Sequence, residues 1–195
     1  MYILFKPIEA FIENKIRTDP SKYPTNKGNF APVSHELSYQ ITDVSGKIPS
    51  DLNGVFIKNG PNSQFPSKTG RHQWFEGDGM LHAFRIKNGQ LWYCNRFTQT
   101  DRYLEEKKAG HVIHSKLGEL HSLGVVKVLL SKLYAKIGYA KGLRPLRGET
   151  SNTAMIHHAK RTFALVESDL PFHVRIEESE KKFDIKSIGY DNYEG

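Results

Sequence analysis

The sequence predicts an all-β fold built from short antiparallel strands, and two patterns carry this prediction. The first is a hairpin, in which Leu81 to Lys87 and Gln90 to Phe97 alternate around Asn88-Gly89. That dipeptide supplies the two positive φ angles of a type I′ turn. The second is a series of short apolar segments, joined by polar turns, from residue 153 onward. Such strands form a sandwich, a barrel or a propeller, and periodicity leaves all three open.

The first 45 residues are predicted to form an N-terminal helix and an extended arm, ahead of a main domain over residues 46–195. Apolar residues recur at helical spacing near the N-terminus, namely Ile8, Phe11, Ile12 and Ile16. Pro20 and Pro24 end this pattern. We expect the helix to dock on the body of the protein, and the alternative is a membrane anchor. Residues 18–32 are predicted to be the extended arm.

The strands are predicted in chain order from residue 46. Val55 to Ile57 is a short strand, which Asn59-Gly60-Pro61-Asn62 is expected to end. In the hairpin that follows, the two-residue period divides the side chains between two faces. One face has His82, Phe84 and Ile86, and the other has Leu81, Ala83 and Arg85. The later strands form a meander and are predicted at Thr153–His158, Thr162–Glu167, Phe172–Ile176 and Phe183–Ile188.

A helical pattern interrupts the strands between residues 118 and 140. Its apolar stripe consists of Leu123, Val126, Leu130, Leu133, Tyr134 and Ile137. Lys132 and Lys136 lie on the opposite side, so the helix is amphipathic. Periodicity indicates that the apolar face is buried, but it does not show what packs against that face.

Composition and charge narrow the classes of function. The net charge is +7, but the lysines interrupt aliphatic residues and do not alternate with exposed aromatic residues, so we expect no nucleic-acid partner. The single cysteine, Cys94, excludes an internal disulfide and a thiolate metal cluster. Met1 to Phe5 is too short an apolar run for a secretory signal. We therefore predict a cytoplasmic protein that can attach peripherally to a membrane.

Several separated motifs give the sequence a distinctive order: Gly60-Pro61-Asn62, Glu76-Gly77-Asp78-Gly79-Met80 with His82, Asn95-Arg96-Phe97 with Thr100, and Asn152-Thr153-Ala154 through His157-His158 to Ala164-Leu165-Val166-Glu167 and Pro171. In this order they resemble the carotenoid cleavage oxygenases over roughly residues 49–195. Four positions depart from the residues usual in that family: Lys58, Ser63, Glu76 and Ala159. These departures leave the order of the motifs unchanged, so they affect the assignment to a subfamily more than the resemblance to the family. The resemblance implies the N-terminal part of a seven-bladed β-propeller, with a helical insertion around residues 118–140.

The resemblance also implies a cofactor and a reaction. Members of this family hold iron(II) with four histidines and use O₂ to split a conjugated double bond of a carotenoid or apocarotenoid into two carbonyl products. Neutral imidazole suits ferrous iron. The ligands of the family would lie beyond Gly195, so we expect this chain alone to bind no iron and to be inactive.

The resemblance assigns a role to one residue of this chain and to one surface. Glu167 matches a glutamate that accepts the distal N–H of an iron-bound imidazole and so fixes its tautomer. The alternative is a solvent-exposed glutamate at a strand end. The apolar stripe of residues 123–137 matches a surface that meets the membrane near the substrate entrance. The alternative is a helix packed on the propeller, and both stay open.

The histidines of the chain do not form a predicted metal site. His157 and His158 are adjacent on a strand, so they point to opposite faces. His111, His114 and His121 lack a carboxylate-rich or cysteine partner, so we expect ordinary histidines there. The competing function is a non-catalytic, basic module that attaches to membranes or binds a partner.

Overall fold

The computed structural model describes residues 2–22, 27–114, 116–120, 122–126, 129, 150–180 and 182–193. The elements with defined bounds among these residues are two α-helices, three short 3₁₀-helices and eight strands. The helices are α1 (Tyr2–Ile16) and α2 (Asp101–Ala109), with 3₁₀ turns at Pro20–Lys22, Gly28–Phe30 and Leu117–Glu119. The strands are β1 (Ser38–Ile41), β2 (Gly54–Asn62), β3 (Asp78–Lys87), β4 (Gln90–Phe97), β5 (Ala154–His158), β6 (Arg161–Leu165), β7 (Phe172–Ser179) and β8 (Lys182–Tyr190).

The chain divides into two compact units, and each unit is built from three separate segments. Unit 1 consists of Met1–Val33, Ser63–Glu76 and Arg102–Arg147, and unit 2 consists of Ser34–Asn62, Gly77–Asp101 and Gly148–Gly195. The strands all lie in unit 2, and the described helical residues lie mainly in unit 1. The boundary near residue 45 stays a prediction about domains.

The first sheet of unit 2 has the strand order β1-β4-β3-β2, with all neighbours antiparallel. The predicted hairpin is confirmed, because Lys87 pairs with Gln90 across Asn88 (φ 51°) and Gly89 (φ 73°). Both angles are positive, as a type I′ turn requires. The two predicted faces are also confirmed, since residues 81, 83 and 85 are buried while 82, 84 and 86 are half-buried.

The second sheet is the predicted meander, with the order β5-β6-β7-β8. The two sheets share a core of buried side chains: Leu81, Ala83 and Cys94 from the first sheet, and Ala164, Phe172, Val174, Phe183 and Ile185 from the second. Polar contacts also join the sheets. The Arg96 guanidinium lies 2.9 Å from the Asp184 carboxylate, and Arg85 donates to the Ser179 carbonyl at 2.6 Å. Unit 2 therefore consists of two sheets packed face to face.

Unit 1 is organised around the C-terminal end of α1. Ile12 and Ile16 are buried, which agrees with docking of this helix, while Ile8 and Phe11 on the same predicted stripe are exposed. The Arg71 guanidinium donates to the Ile16 carbonyl at 2.7 Å and satisfies one of the acceptors left open at the helix end.

One local prediction differs from the structure. The motif Asn59-Gly60-Pro61-Asn62 was expected to end a strand, and that prediction is wrong, because β2 continues to Asn62. Pro61 pairs with Gly79 on the edge strand of the sheet, where the missing N–H of proline leaves no ladder bond unmade. Strand β1 and helix α2 were not predicted.

The predicted helical insertion lies largely outside the described residues. Residues 124–126 and 129 are helical. Of the predicted stripe, Leu123 and Val126 are described, whereas Leu130, Leu133, Tyr134 and Ile137 are not.

Candidate functional site

Gly79 brings the first sheet into backbone contact with the segment that leads to the second. Its N–H donates to the Thr150 carbonyl at 2.7 Å, and its own carbonyl accepts the N–H of Thr98 at 2.7 Å. A Cβ atom at this position would lie 2.4 Å from the Ser151 carbonyl oxygen and 2.7 Å from that of Thr150. Because both neighbours are backbone, only glycine permits this approach.

Two asparagines complete the contact. The Asn59 side-chain amide donates to the carbonyls of Ser151 (2.8 Å) and Ala154 (3.1 Å), and the Asn152 amide donates to the Gly77 carbonyl at 2.8 Å. We call the five residues Asn59, Gly77, Gly79, Ser151 and Asn152 the clasp. Residues from three of the separated sequence motifs, or next to them, thus meet at one place in unit 2.

The clasp holds the residue that contacts Glu167. Thr153 follows it directly, and its N–H donates to the Leu165 carbonyl at 2.9 Å. The Thr153 hydroxyl lies 3.3 Å from the Glu167 carboxylate and 3.1 Å from the Asn152 side-chain oxygen, so its single proton serves one acceptor at a time. Glu167 itself is exposed and lies two residues beyond the end of β6.

The Glu167 carboxylate retains capacity to accept further hydrogen bonds. An ionised carboxylate offers about four acceptor positions. In the described part of the chain, the Thr153 hydroxyl is the one group that donates to it. The carboxylate can therefore accept an N–H from another group. Thr153 belongs to the motif Asn152-Thr153-Ala154, but its contact with Glu167 was not predicted. The motif does not indicate this contact, because the contact depends on the hydrogen bond from the Thr153 N–H to the Leu165 carbonyl.

Asn95, in another of the motifs, holds the chain that enters β1. It is buried, and its side chain both accepts the Leu37 N–H (2.6 Å) and donates to the His35 carbonyl (2.9 Å). Such paired bonds satisfy a buried amide. Asn95 therefore has a structural role in this chain.

Glu76, the first residue of its motif, is a buried acceptor in unit 1. Its carboxylate accepts the N–H groups of Gln73 (2.9 Å) and Gly118 (3.0 Å). Burial raises the pKa of the Glu76 carboxyl, and those hydrogen bonds and the charges of Lys116 and Arg102 offset the effect only in part. Glu76 thereby fixes the chain near residue 118, just ahead of the predicted helical insertion.

Four of the described histidines contact different partners. His157 contacts the Thr162 hydroxyl at 2.9 Å, His114 contacts Glu105 at 2.9 Å, and His111 contacts the Ala109 carbonyl at 2.9 Å. His82 contacts the Tyr93 hydroxyl at 2.7 Å, and burial lowers the pKa of this histidine. Among the residues that the structure describes, no three His, Cys, Asp or Glu side chains come together as metal ligands. His121 lies outside the described residues.

Unit 1 exposes apolar side chains where the helical insertion begins. Leu123 and Val126, both predicted, are each 42% exposed. Val125 and Leu129, which the predicted stripe did not include, are also exposed. None of the described helices is long and apolar enough to span a membrane.

The sequence of the chain is similar to a known family and to curated proteins. The family described as "Retinal pigment epithelial membrane protein" matches residues 30–195. The carotenoid 9,10(9′,10′)-cleavage dioxygenase 1 of Phaseolus vulgaris is 35% identical over 176 residues, which are 90% of this chain and 31% of that protein. The chain thus spans about a third of the length of this curated relative.

Solved structures agree with the observed sheets. A variant of the Synechocystis apocarotenoid oxygenase matches with a TM-score of 0.64 and 27% identity, over 90% of this chain and 33% of its own. A cobalt-substituted form of the Synechocystis protein matches with a TM-score of 0.59 and 24% identity, over 89% of this chain and 32% of its own, which is a likeness of fold. The predicted all-β fold class is confirmed, and the two sheets correspond to part of a β-propeller.

Proposed function

The chain belongs to the Retinal pigment epithelial membrane protein family, which is the carotenoid oxygenase family, and from that premise we propose that it is the N-terminal part of a dioxygenase acting on a carotenoid or apocarotenoid. The proposed reaction splits a conjugated double bond with O₂ and yields two carbonyl products. The substrate class and the use of O₂ are carried over from the names of the relatives. A cytoplasmic location stays a prediction.

The observation that carries the proposal is the position of Glu167 beside the clasp. Motif residues that are up to 93 positions apart in sequence, from Asn59 to Asn152, converge on the segment that places Thr153 against this glutamate. Backbone contacts such as that of Gly79 leave little freedom in the segment. We infer that the family pattern in this chain serves to fix the Glu167 carboxylate.

The cofactor we propose for the complete protein is iron(II), which would activate O₂ when bound. The fit to this chain is limited to a supporting role, because the described residues include no group of metal ligands. Glu167 fits that role, since an exposed carboxylate with open acceptor positions can accept the N–H of an imidazole and hold its ring in one tautomer. Thr153 would orient the carboxylate through its hydroxyl.

The test uses the complete protein that carries this chain, with the variant Glu167→Gln. The substitution keeps the shape and removes the charge, and we expect kcat and iron content to fall roughly tenfold or more, since partners of ligating histidines matter to that degree. The matched control is Glu178→Gln on β7, another exposed glutamate. Carbonyl products are measured by liquid chromatography and iron by elemental analysis. Wild-type activity and iron content in Glu167→Gln would remove Glu167 from the proposed role.

We further infer that the exposed apolar residues near the helical insertion contact a membrane surface. Leu123, Val125, Val126 and Leu129 are exposed together, and apolar side chains of this kind can enter the headgroup region. The competing module, which binds by charge, predicts binding to anionic vesicles that weakens as salt is added. Apolar contact predicts binding that persists at high salt.

Cosedimentation with vesicles distinguishes apolar contact from binding by charge. We expect Leu129→Asp to reduce the bound fraction in 0.5 M salt, whereas Leu170→Asp, at an exposed leucine of unit 2, leaves it unchanged. Equal binding by both variants would contradict apolar contact at Leu129.

A further inference from the structure

Unit 2 contains a cleft beside the turn between β5 and β6. Its volume is about 810 Å³, which lies within the range of small-molecule sites. It is lined by residues of β2, β5, β6 and β7, and neither Thr153 nor Glu167 is among them. The cleft is therefore separate from the candidate site described above.

Part of the lining of the cleft is apolar and is called the apolar side. It is formed by Val55, Ile57, Met155, Val174 and Ile176. Val174 belongs to the buried core of the two sheets, and the other four pack against that core. A surface fixed in this way is preformed, so a ligand would not have to order it.

The rest of the lining includes cationic and imidazole side chains: His157, Lys160, Arg161, His173 and Arg175. No carboxylate is among the described residues that line the cleft. Arg161 is paired with Asp191 at 2.6 Å and Arg175 with Glu177 at 3.2 Å, just outside the lining. Each of these two arginines thus has a carboxylate partner in the protein, and Glu177 also lies near Lys182 and Lys186.

Lys160 differs from the arginines. Within the residues that the structure describes, its ammonium has no ion pair or hydrogen bond. Its backbone also lies in the left-handed region, with φ 63°, directly after Ala159 at φ 47°. That region favours glycine or asparagine, and residues held there often mark a functional position. The pairing of His158 with Arg161 closes the turn and holds Lys160 beside the cleft.

We propose that this cleft binds an amphipathic carboxylate of the fatty-acid class, with its head group at Lys160 and its tail over the apolar side. One unpaired ammonium matches one negative charge, which favours a carboxylate over a doubly charged phosphate. The apolar tail contacts the side chains of β2, β5 and β7 that pack on the core. This binding site is independent of the oxygenase reaction proposed above, because Glu167 and the clasp lie elsewhere.

Decanoate is the probe, and methionine methyl groups labelled with ¹³C report where it binds. Met155 lines the cleft, whereas Met80 is completely buried on β3 and serves as an internal reference. We expect a saturable shift of the Met155 methyl resonance with little change at Met80. Decanol, which has the same tail without the charge, should bind roughly five- to tenfold more weakly, as the loss of one partly exposed charged contact predicts.

Three variants test the role of the lysine. Lys160→Asn removes the charge and suits the left-handed turn, so it preserves the fold, and we expect decanoate affinity to fall roughly five- to tenfold. Lys160→Arg should restore affinity, and Lys87→Asn, at an exposed lysine beside the other hairpin turn, should leave it unchanged. Equal affinity for decanol and decanoate, equal affinity of Lys160→Asn and Lys87→Asn, or a shift at Met80 without one at Met155 would each overturn the proposal.

Discussion

The side-chain amide of Asn59 lies 2.8 Å from the carbonyl oxygen of Ser151, a residue 92 positions further along the chain. Ser151 is completely buried, so that carbonyl has no access to bulk water. The same amide donates to the Ala154 carbonyl at 3.1 Å. A single side chain therefore satisfies two backbone acceptors, one before and one after residues 152–153.

Replacing Asn59 with alanine should destabilise unit 2. The variant Asn59→Ala leaves the buried Ser151 carbonyl without its donor, so we expect the free energy of unfolding to fall by about 1–3 kcal/mol. Urea denaturation followed by circular dichroism measures the change. The control Gln90→Ala removes an exposed amide at the start of β4 and should stay within about 0.5 kcal/mol of wild type. An unchanged Asn59→Ala would show that water replaces the amide.

Gly79 and Gly60 form a matched pair for testing the backbone contact. In Gly79→Ala the new methyl group would lie 2.4 Å from the Ser151 carbonyl oxygen, so the two backbone segments must separate. We expect a loss of more than about 2 kcal/mol, in line with other strain at closely packed positions. Gly60→Ala places its methyl group in open space in β2, so its effect should stay below about 1 kcal/mol. Thermal unfolding compares the two, and similar melting temperatures would contradict the contact.

Glu76 should make the stability of the chain depend on pH. Because burial raises its pKa in the folded state, the folded chain holds a proton that the unfolded chain releases above pH 4.5, its ordinary value. Stability from this group is present below pH 4.5 and is lost as pH rises from there through the raised pKa. We expect Glu76→Gln to flatten that part of the curve in urea unfolding measured from pH 4.5 to 7.5.

Glu177 provides a control of opposite sign for the same measurement. A hydrogen bond from Arg175 lowers the pKa of Glu177. Its contribution is present above pH 4.5 and is lost as pH falls through the lowered value. Glu177→Gln should therefore change the slope of the curve only below pH 4.5, so the unfolding series for this pair of variants is extended below that pH. A matching change in both variants would refute the assignment to Glu76.

Cys94 should resist thiol reagents in the folded chain. It is completely buried, and burial raises its pKa to about 11, so very little thiolate is present at pH 8. We expect no fast reaction with Ellman's reagent in buffer and release of one equivalent in 6 M guanidinium chloride, since the chain has one cysteine. Rapid labelling in buffer would mean that the core between the sheets opens.

Local signals made the hairpin and the meander predictable from sequence. Asn88-Gly89 specifies its turn through two residues that tolerate positive φ. The turn at Ala159 and Lys160 adopts the same backbone signs without such residues, so pairing of the flanking strands decides its conformation. The continuation of β2 through Pro61 depends on its edge position, which no local pattern encodes.

Helix α2 was missed because its buried side chains are mostly polar. It buries Arg102, Tyr103 and Glu106, so a search for apolar periodicity finds little. Its ends do carry signals, with Asp101 in the first turn, lysines in the last and Gly110 at φ 72° just beyond. The clasp could not be predicted either, because the sequence of the motifs does not show that their main chains come into contact in the fold.

The division of each unit among three segments has a consequence for synthesis. Unit 1 is not complete until Arg147 has been synthesised, and unit 2 needs residues after Gly148, so neither can finish folding while the nascent chain is short. Until then, the segments that are synthesised first lack the later segments of their unit to pack against. Because each unit draws on three segments, no single proteolytic cut would release either unit intact.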